Sequence, residues 1–309
     1  MKSGHTLVVI TGPTGVGKTA QAIAVAQGLH CDIINADSRQ IYRGLPIGTA
    51  APTPQEQALV RHHFVQCREL TEPYSAAQFE ADVMQLLPTL WPQSPVQVMC
   101  GGSQMYVDAV CRGIDPLPDI STAVREATKR EWQEQGLDHM LQVLQELDPD
   151  YYAIVDRKNP KRVVHAVEIC RQAGVPYSSL RTGQAKKRPF RIIKVALNLP
   201  RPELFARINA RVDAMVAAGL EAEARSVLPL RHVNALNTVG YKEMFACFDG
   251  LMDRTTAIER IKKNTRVYAK KQLTWLQRDP TVVWCRPQET AATVSRLLES
   301  EERQKEKFS

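Results

Sequence analysis

The run Gly12-Pro13-Thr14-Gly15-Val16-Gly17-Lys18-Thr19 constrains this chain more than any other feature. It completes G-x-x-x-x-G-K-T, follows directly on the apolar stretch TLVVIT and opens into AQAIAVAQGL, so the strand and the helix that the motif needs are both present. Glycines in such a turn let successive backbone N–H groups converge on phosphate oxygens, and the start of the following helix adds partial positive charge. Lys18 is spaced to reach a terminal phosphate and Thr19 to hold Mg²⁺. All eight residues are therefore candidate diphosphate-binding residues, with Lys18 also catalytic and Thr19 the metal ligand. The motif specifies a di- or triphosphate ligand and leaves the reaction open.

A phosphate loop between strand and helix implies an α/β sheet, and the next 100 residues agree. Short β-prone runs at 6–11, 32–35, 63–65 and 96–100 alternate with helical patterns at 19–29 and 76–87, and Pro88 is expected to end the second helix. From about residue 115 the texture changes. Pro116 and Pro118 break the chain, and the next 75 residues show helical periodicity alone, over 121–135, 138–147 and 160–172, the last closed by Gly174 with Pro176 beyond. The β-prone FRIIKVALNL at 190–199 then returns to the sheet, which makes the helical stretch an insertion. Helical patterns at 202–218, 221–228 and about 253–277, a short apolar run and a charged end complete the chain. The expected domains are an α/β core with a helical C-terminal part, 1–114 and 190–309, and an inserted helical domain, 115–189.

Charge divides the chain unevenly. The 309 residues carry 40 Lys and Arg against 33 Asp and Glu, net +7. Residues 1–156 hold 10 basic against 18 acidic side chains, net −8, and residues 157–309 hold 30 against 15, net +15. A basic half of that strength suits a nucleic-acid or polyphosphate partner. Hydrophobic residues make up 44% and charged residues 24%, a balance that excludes extensive disorder. Seven scattered cysteines without a C-x-x-C pair read as reduced thiols of a cytoplasmic protein, not a disulfide framework or a zinc site. No apolar stretch approaches the roughly 18 residues a membrane helix needs, so no membrane partner is expected.

P-loop hydrolases place a Mg²⁺-binding Asp at the end of a later strand. Here that strand, VQVMC, runs into Gly101-Gly102-Ser103 without a carboxylate, which argues against simple nucleotide hydrolysis. Asp37, in IINADSRQIY, ends the second strand at the sheet edge where ligands bind in open parallel sheets. A carboxylate there can orient an acceptor, hold Mg²⁺ or take a proton; an N-cap is the bland alternative. Ser38, Arg39 and Gln40 add polar groups beside it. His62-His63 reads as structural, since adjacent side chains diverge.

Together these segments resemble the tRNA dimethylallyltransferases, also called tRNA isopentenyltransferases. The resemblance spans nearly the whole chain and rests on GPTGVGKT (12–19), ADSRQIYRGLPIGTA (36–50), HHF (62–64), GGSQMYVDAV (101–110), LPDISTAVR ending at Arg125, NPKRVVHAVEI (159–169), TVGYKE (238–243) and RVYAKKQLTWLQRD (266–279). It implies a P-loop kinase-like α/β core, a parallel sheet flanked by helices, with an inserted all-helical tRNA-binding domain. It also implies transfer of a dimethylallyl group from dimethylallyl diphosphate, with Mg²⁺, to the exocyclic amine of the adenosine 3′ of the anticodon, releasing diphosphate. Asp37 then serves as base, Ser103 stands where the family usually has Thr, and Arg125 matches the arginine that neutralises the diphosphate. The implied tRNA contacts are Asp37, Ser38, Arg39, Gln40, Ser103, Arg125, Lys161, Arg162, His165, Lys270, Lys271, Gln272 and Trp275. His165 departs from the family's usual Arg. Trp275, between cations, reads equally as a stacking platform or a core residue. A monomer is expected. A small-molecule phosphotransferase would share the loop and Asp37 but has no need of the basic half. A non-catalytic RNA-binding module leaves the phosphate loop unexplained, and a prenyltransferase acting on free adenine nucleotides is the nearest alternative.

Overall fold

A computed structural model describes residues 4–306, with side chains described through residue 300. Six strands form one all-parallel sheet: β1 (Thr6–Thr11), β2 (Ile33–Asn35), β3 (His62–His63), β4 (Val96–Cys100), β5 (Arg191–Leu197) and β6 (Val282–Cys285), in the order β3-β2-β4-β1-β5-β6. The helices in chain order are α1 (Lys18–Leu29), α2 (Pro54–Leu59), α3 (Ala76–Leu90), α4 (Gln104–Arg112), α5 (Thr122–Leu147), α6 (Pro149–Ile154), α7 (Pro160–Ala173), α8 (Tyr177–Leu180), α9 (Arg201–Ala217), α10 (Leu220–Ser226), α11 (Tyr241–Phe248), α12 (Arg254–Leu276) and α13 (Thr290–Glu306). Strand β1 is apolar throughout its middle because helices cover both sheet faces. Leu7 and Val9 pack on one side with α3 and α4, while Val8 and Ile10 pack on the other with α1 and α9. All four are fully buried, each contributing about 1.5–3 kcal/mol of hydrophobic stabilisation.

The chain forms two compact units. One comprises the residues up to Cys111 and those from Lys187 onward, and contains the whole sheet. The other, Arg112–Lys186, is helical, with a core of Met140, Leu144, Tyr151, Val163 and Val167 drawn from α5, α6 and α7. Its two ends meet where the Lys186 N–H donates to the Arg112 carbonyl at 2.6 Å. The junctions thus fall three residues before the 115 and 189 limits read from the proline break and the β-prone run. Within this unit Arg171 donates to both Glu131 oxygens, at 2.7 and 3.1 Å, and His139 bonds the same carboxyl. The Arg171 bond above all holds the Glu131 carboxyl down at about 2.

Three local expectations need correction. Helix α3 runs through Pro88 to Leu90. Proline forfeits one N–H bond, but Trp91 still donates to the Leu87 carbonyl at 3.1 Å, and buried Leu87 and Leu90 fix the last turn on the sheet. The run after β2 pairs only through His62 and His63, so the strand expected over 63–65 starts a residue earlier and ends sooner; Phe64 turns away with φ 62°. The short apolar run near the C-terminus is the sixth strand, and α2, α4, α6, α8 and α11 have no counterpart in the sequence reading. In α5, by contrast, Gly136 sits at φ 80° and ψ −176°, so the stretch is two helices end to end, as the expected gap between 135 and 138 implies.

Candidate active site

Parallel register brings the ends of β1, β2 and β4 to one edge, since Ile10 pairs with Cys100 and Cys100 with Asn35. The phosphate loop, Asp37 and Ser103 are the next residues out of those strands. Gly101 makes the fit possible: a Cβ there would lie 2.1 Å from the Ala36 carbonyl oxygen. The Ala36 N–H also donates to Cys100 O at 2.7 Å, and the Ser103 N–H to Ala36 O at 3.2 Å, so the two turns are stitched together. Gly101→Ala must force them apart, and we expect it to cost about 3 kcal/mol, read as a lowered denaturation midpoint with turnover lost in parallel.

The loop enters α1 through Gly17 at φ 98°, a left-handed cap with no side-chain partner, so the first-turn N–H groups remain for an anion. Lys18 Nζ donates to the Pro13 carbonyl at 3.0 Å. Burial of its ammonium lowers the Lys18 pKa from 10.5 to about 8. Arg211, on α9, donates to Thr14 Oγ1 at 3.2 Å, and burial lowers its pKa also. Two enclosed cations thus border a loop built for phosphate, an arrangement that costs stability until an anion joins them.

Asp37 Oδ1 accepts the Arg39 and Gln40 N–H groups at 2.9 and 3.3 Å. No helix begins here, so the N-cap alternative does not hold; Asp37 closes a turn instead. The same residue also lines a cavity of about 580 Å³ with Thr14, Ser38, Arg39, Ser103, Arg211, Tyr268 and Lys271, so the turn fixes its carboxyl at the cavity wall. Ser103 Oγ accepts the Ser38 N–H at 2.8 Å and donates to Ser38 Oγ at 3.1 Å. Apolar Ile208, Val212, Met215, Leu220, Val239 and Ile261 also line the cavity, together with polar Asn237, Thr238, Lys242, Glu243 and Asn264. Tyr268 is 44% exposed overall, but enclosure of its hydroxyl, and then the nearby Asp37, push its pKa up to about 12.

Of the diphosphate set, Val16 is wholly buried and offers only backbone, while Pro13 presents a carbonyl to Lys18 and no N–H. Gln40 spends its amide nitrogen on the Thr49 and Ala50 carbonyls, which makes it a brace of the loop facing the site. Gln272, expected among the tRNA contacts, is 4% exposed with both ends of its amide engaged inside the protein, at Thr14 N–H and Gly102 O, so its side chain cannot face RNA. Its neighbours on α12, Lys270, Lys271 and Trp275, are exposed. Trp275 is 41% exposed and donates to Asp108 Oδ2 at 2.8 Å, which disposes of its reading as a core residue. In the helical unit, Lys161, Arg162 and His165 lie on the outer face of α7, and Arg125 is exposed in the first turn of α5. His62 and His63 bond Val60 O and Asp32 Oδ2, each at 2.8 Å, consistent with a structural pair. Sequence reading missed Arg211, which belongs to none of the motif segments and is revealed only by the packing of α9 beside the loop. Tyr268 lies within RVYAKKQLTWLQRD and reads from sequence as an aromatic among cations suited to base stacking; the structure places it on the cavity wall with Asp37.

A family model described as IPP transferase matches residues 40–279. A curated relative from Parabacteroides distasonis, tRNA dimethylallyltransferase 2, is 53% identical over 293 residues, covering 95% of this chain and 98% of its own. The tRNA dimethylallyltransferase of Cytophaga hutchinsonii is 46% identical over 92% of this chain and 93% of its own. Among solved structures, the full-length tRNA isopentenylpyrophosphate transferase from Bacillus halodurans is 31% identical, with a TM-score of 0.72 over 98% of this chain and 99% of that one. A eukaryotic dimethylallyltransferase acting on tRNA is 23% identical, with a TM-score of 0.81 over 95% of this chain and 78% of that one, a likeness of fold.

Proposed function

The chain belongs to the IPP transferase family, and on that premise we propose how its residues move a dimethylallyl group from dimethylallyl diphosphate to the exocyclic amine of the adenosine 3′ of the anticodon in tRNA. The observation that carries the assignment of roles is the meeting of the phosphate loop, Asp37 and Ser103 on one cavity wall at the carboxyl edge of the sheet. The loop amides, Lys18 and Arg211 take the diphosphate, and charge growing on the leaving oxygen as the allylic C–O bond breaks is stabilised by those fixed donors. The new bond forms between that carbon and the adenine amine. Asp37 accepts the amine proton, which compensates for a lone pair delocalised into the ring. Ser103, at the cavity wall, offers its hydroxyl to the substrates in exchange for its bond to Ser38. The diphosphate role of Arg125 rests on the family resemblance, since Arg125 belongs to the helical unit and is not among the residues lining this cavity.

Thr19 stands in the first turn of α1, directly after the phosphate loop, where its hydroxyl would be the protein ligand of a Mg²⁺ ion that keeps water and substrate phosphate oxygens as its other ligands. When bound, the ion neutralises diphosphate oxygens. The deciding experiment supplies dimethylallyl diphosphate and Mg²⁺ with unmodified tRNA or free AMP, followed by nucleoside mass spectrometry. A prenylated adenosine from tRNA alone is the expected product; product from AMP overturns the tRNA assignment.

Lys161, Arg162, Lys270, Lys271 and Trp275 are exposed side chains suited to phosphate and base contacts. Affinity for tRNA is expected to fall steeply with salt. Charge reversal of Lys161 and Arg162 together is expected to reduce the log–log slope by about 2, and a slope equal to wild type would move the tRNA surface elsewhere. No described helix is long and apolar enough to cross a membrane. We place the enzyme in the cytoplasm as a monomer, to be checked by fractionation and by mass from light scattering.

A further inference from the structure

Gln272 is a buried polar residue at the phosphate loop that the reaction leaves without a task. Its Oε1 accepts the Thr14 N–H at 2.8 Å and its Nε2 donates to the Gly102 carbonyl at 2.8 Å. These partners lie 258 and 170 residues away in the chain. One carboxamide therefore ties the first turn of the phosphate loop to the turn that presents Ser103. An amide suits the place because the two partners are one donor and one acceptor; Glu could satisfy only the first, and an apolar residue would leave both backbone groups unpaired in the interior.

Gly102 supplies a second, independent observation. A Cβ on Gly102 would meet Gln272 Nε2 at 2.6 Å, with Lys18 Nζ next at 3.5 Å. This glycine is not in the left-handed region, so the absent side chain serves to admit the carboxamide. Gln272 also sits between Lys271, which lines the cavity, and Trp275, one turn on and exposed. The helix offered to RNA on one face thus grips the phosphate loop on the other.

We propose that Gln272 is a positioning residue for the diphosphate site: it pins Thr14 so that the N–H groups of the rest of the loop aim inward, and sets that loop in register with Ser103. The proposal rests on the prenyl-transfer reading for its consequences in turnover, but its core is tested without tRNA. Binding of inorganic diphosphate with Mg²⁺ is measured by calorimetry on the full chain of wild type, Gln272→Met, Gln272→Glu and Gly102→Ala. Tight wild-type binding with no prenylation of tRNA would fault the reaction and leave the Gln272 question intact.

We expect diphosphate affinity to fall at least 10-fold in Gln272→Met and Gly102→Ala. Gln272→Glu, which keeps the bond to Thr14 but faces the Gly102 carbonyl and the incoming anion with a carboxylate, is expected to fall further. In turnover, KM for dimethylallyl diphosphate rises in all three while the tRNA dissociation constant stays within about twofold of wild type. A purely structural role predicts a lowered melting temperature with diphosphate affinity retained in the folded fraction. That result in Gly102→Ala or Gln272→Met overturns the proposal, as does a tRNA affinity that falls 10-fold while diphosphate binding is unchanged.

Discussion

Asp37→Asn should fold like the wild type, bind tRNA within a few-fold of its affinity and turn over about 10³-fold more slowly. The asparagine matters because Asp37 has two occupations. Its Oδ1 accepts the Arg39 and Gln40 N–H groups, and loss of those turn bonds costs about 1 kcal/mol. Asp37→Ala loses the turn bonds and the base together, so its defect mixes chemistry with a loosened turn. Asparagine keeps an acceptor oxygen for the turn and lacks the basicity to take a proton from the adenine amine. A melting temperature near wild type in Asp37→Asn, lowered in Asp37→Ala, with both inactive, identifies the proton acceptor. Wild-type prenylation by Asp37→Asn removes Asp37 from that role and leaves it the turn alone.

The elements of this site differ in how much of them the sequence exposes. The phosphate loop is legible because its function depends on local backbone geometry, and local geometry is written in consecutive residues. Asp37 and Ser103 are legible at one remove: each follows a β-prone run, and parallel pairing carries the ends of those runs to one edge. Arg211 and Gln272 are not, because they approach the loop from α9 and α12 and meet it about 200 and 258 residues from Thr14. For Gln272 proximity in the chain misled. It lies between cations on a basic helix, which suggests an RNA contact, yet helical spacing turns it to the buried face while Lys270, Lys271 and Trp275 stay outside. The Pro88 error has a related cause, since one missing hydrogen bond outweighs little when Leu87 and Leu90 are packed on the sheet.

The second large effect concerns Lys18, where activity and stability should move in opposite directions. Its ammonium is held in a place that lowers its pKa from 10.5 to about 8, chiefly by burial. At neutral pH the folded protein carries that charge regardless, and a shift of this size corresponds to about 3 kcal/mol of destabilisation. Lys18→Met removes the charge and also the bond to the Pro13 carbonyl, worth about 1 kcal/mol. The variant should therefore be more stable at pH 7 by about 2 kcal/mol while losing turnover. The sign follows from proton uptake. Between about pH 8 and 10.5 the unfolded chain holds the Lys18 proton and the folded chain has released it, so wild-type stability gains on the variant's as pH rises through that window. Denaturant unfolding of both proteins at pH 7 and pH 10.5 should show the gap closing. Catalysis should reflect the same group from the other side. In the free enzyme Lys18 loses its charge above about pH 8, so kcat/KM for dimethylallyl diphosphate falls there, whereas bound diphosphate raises the pKa and leaves kcat at saturating donor flat. A Lys18→Met protein less stable than wild type at pH 7, or a kcat/KM profile flat to pH 10, would show that the ammonium is not confined as the structure has it.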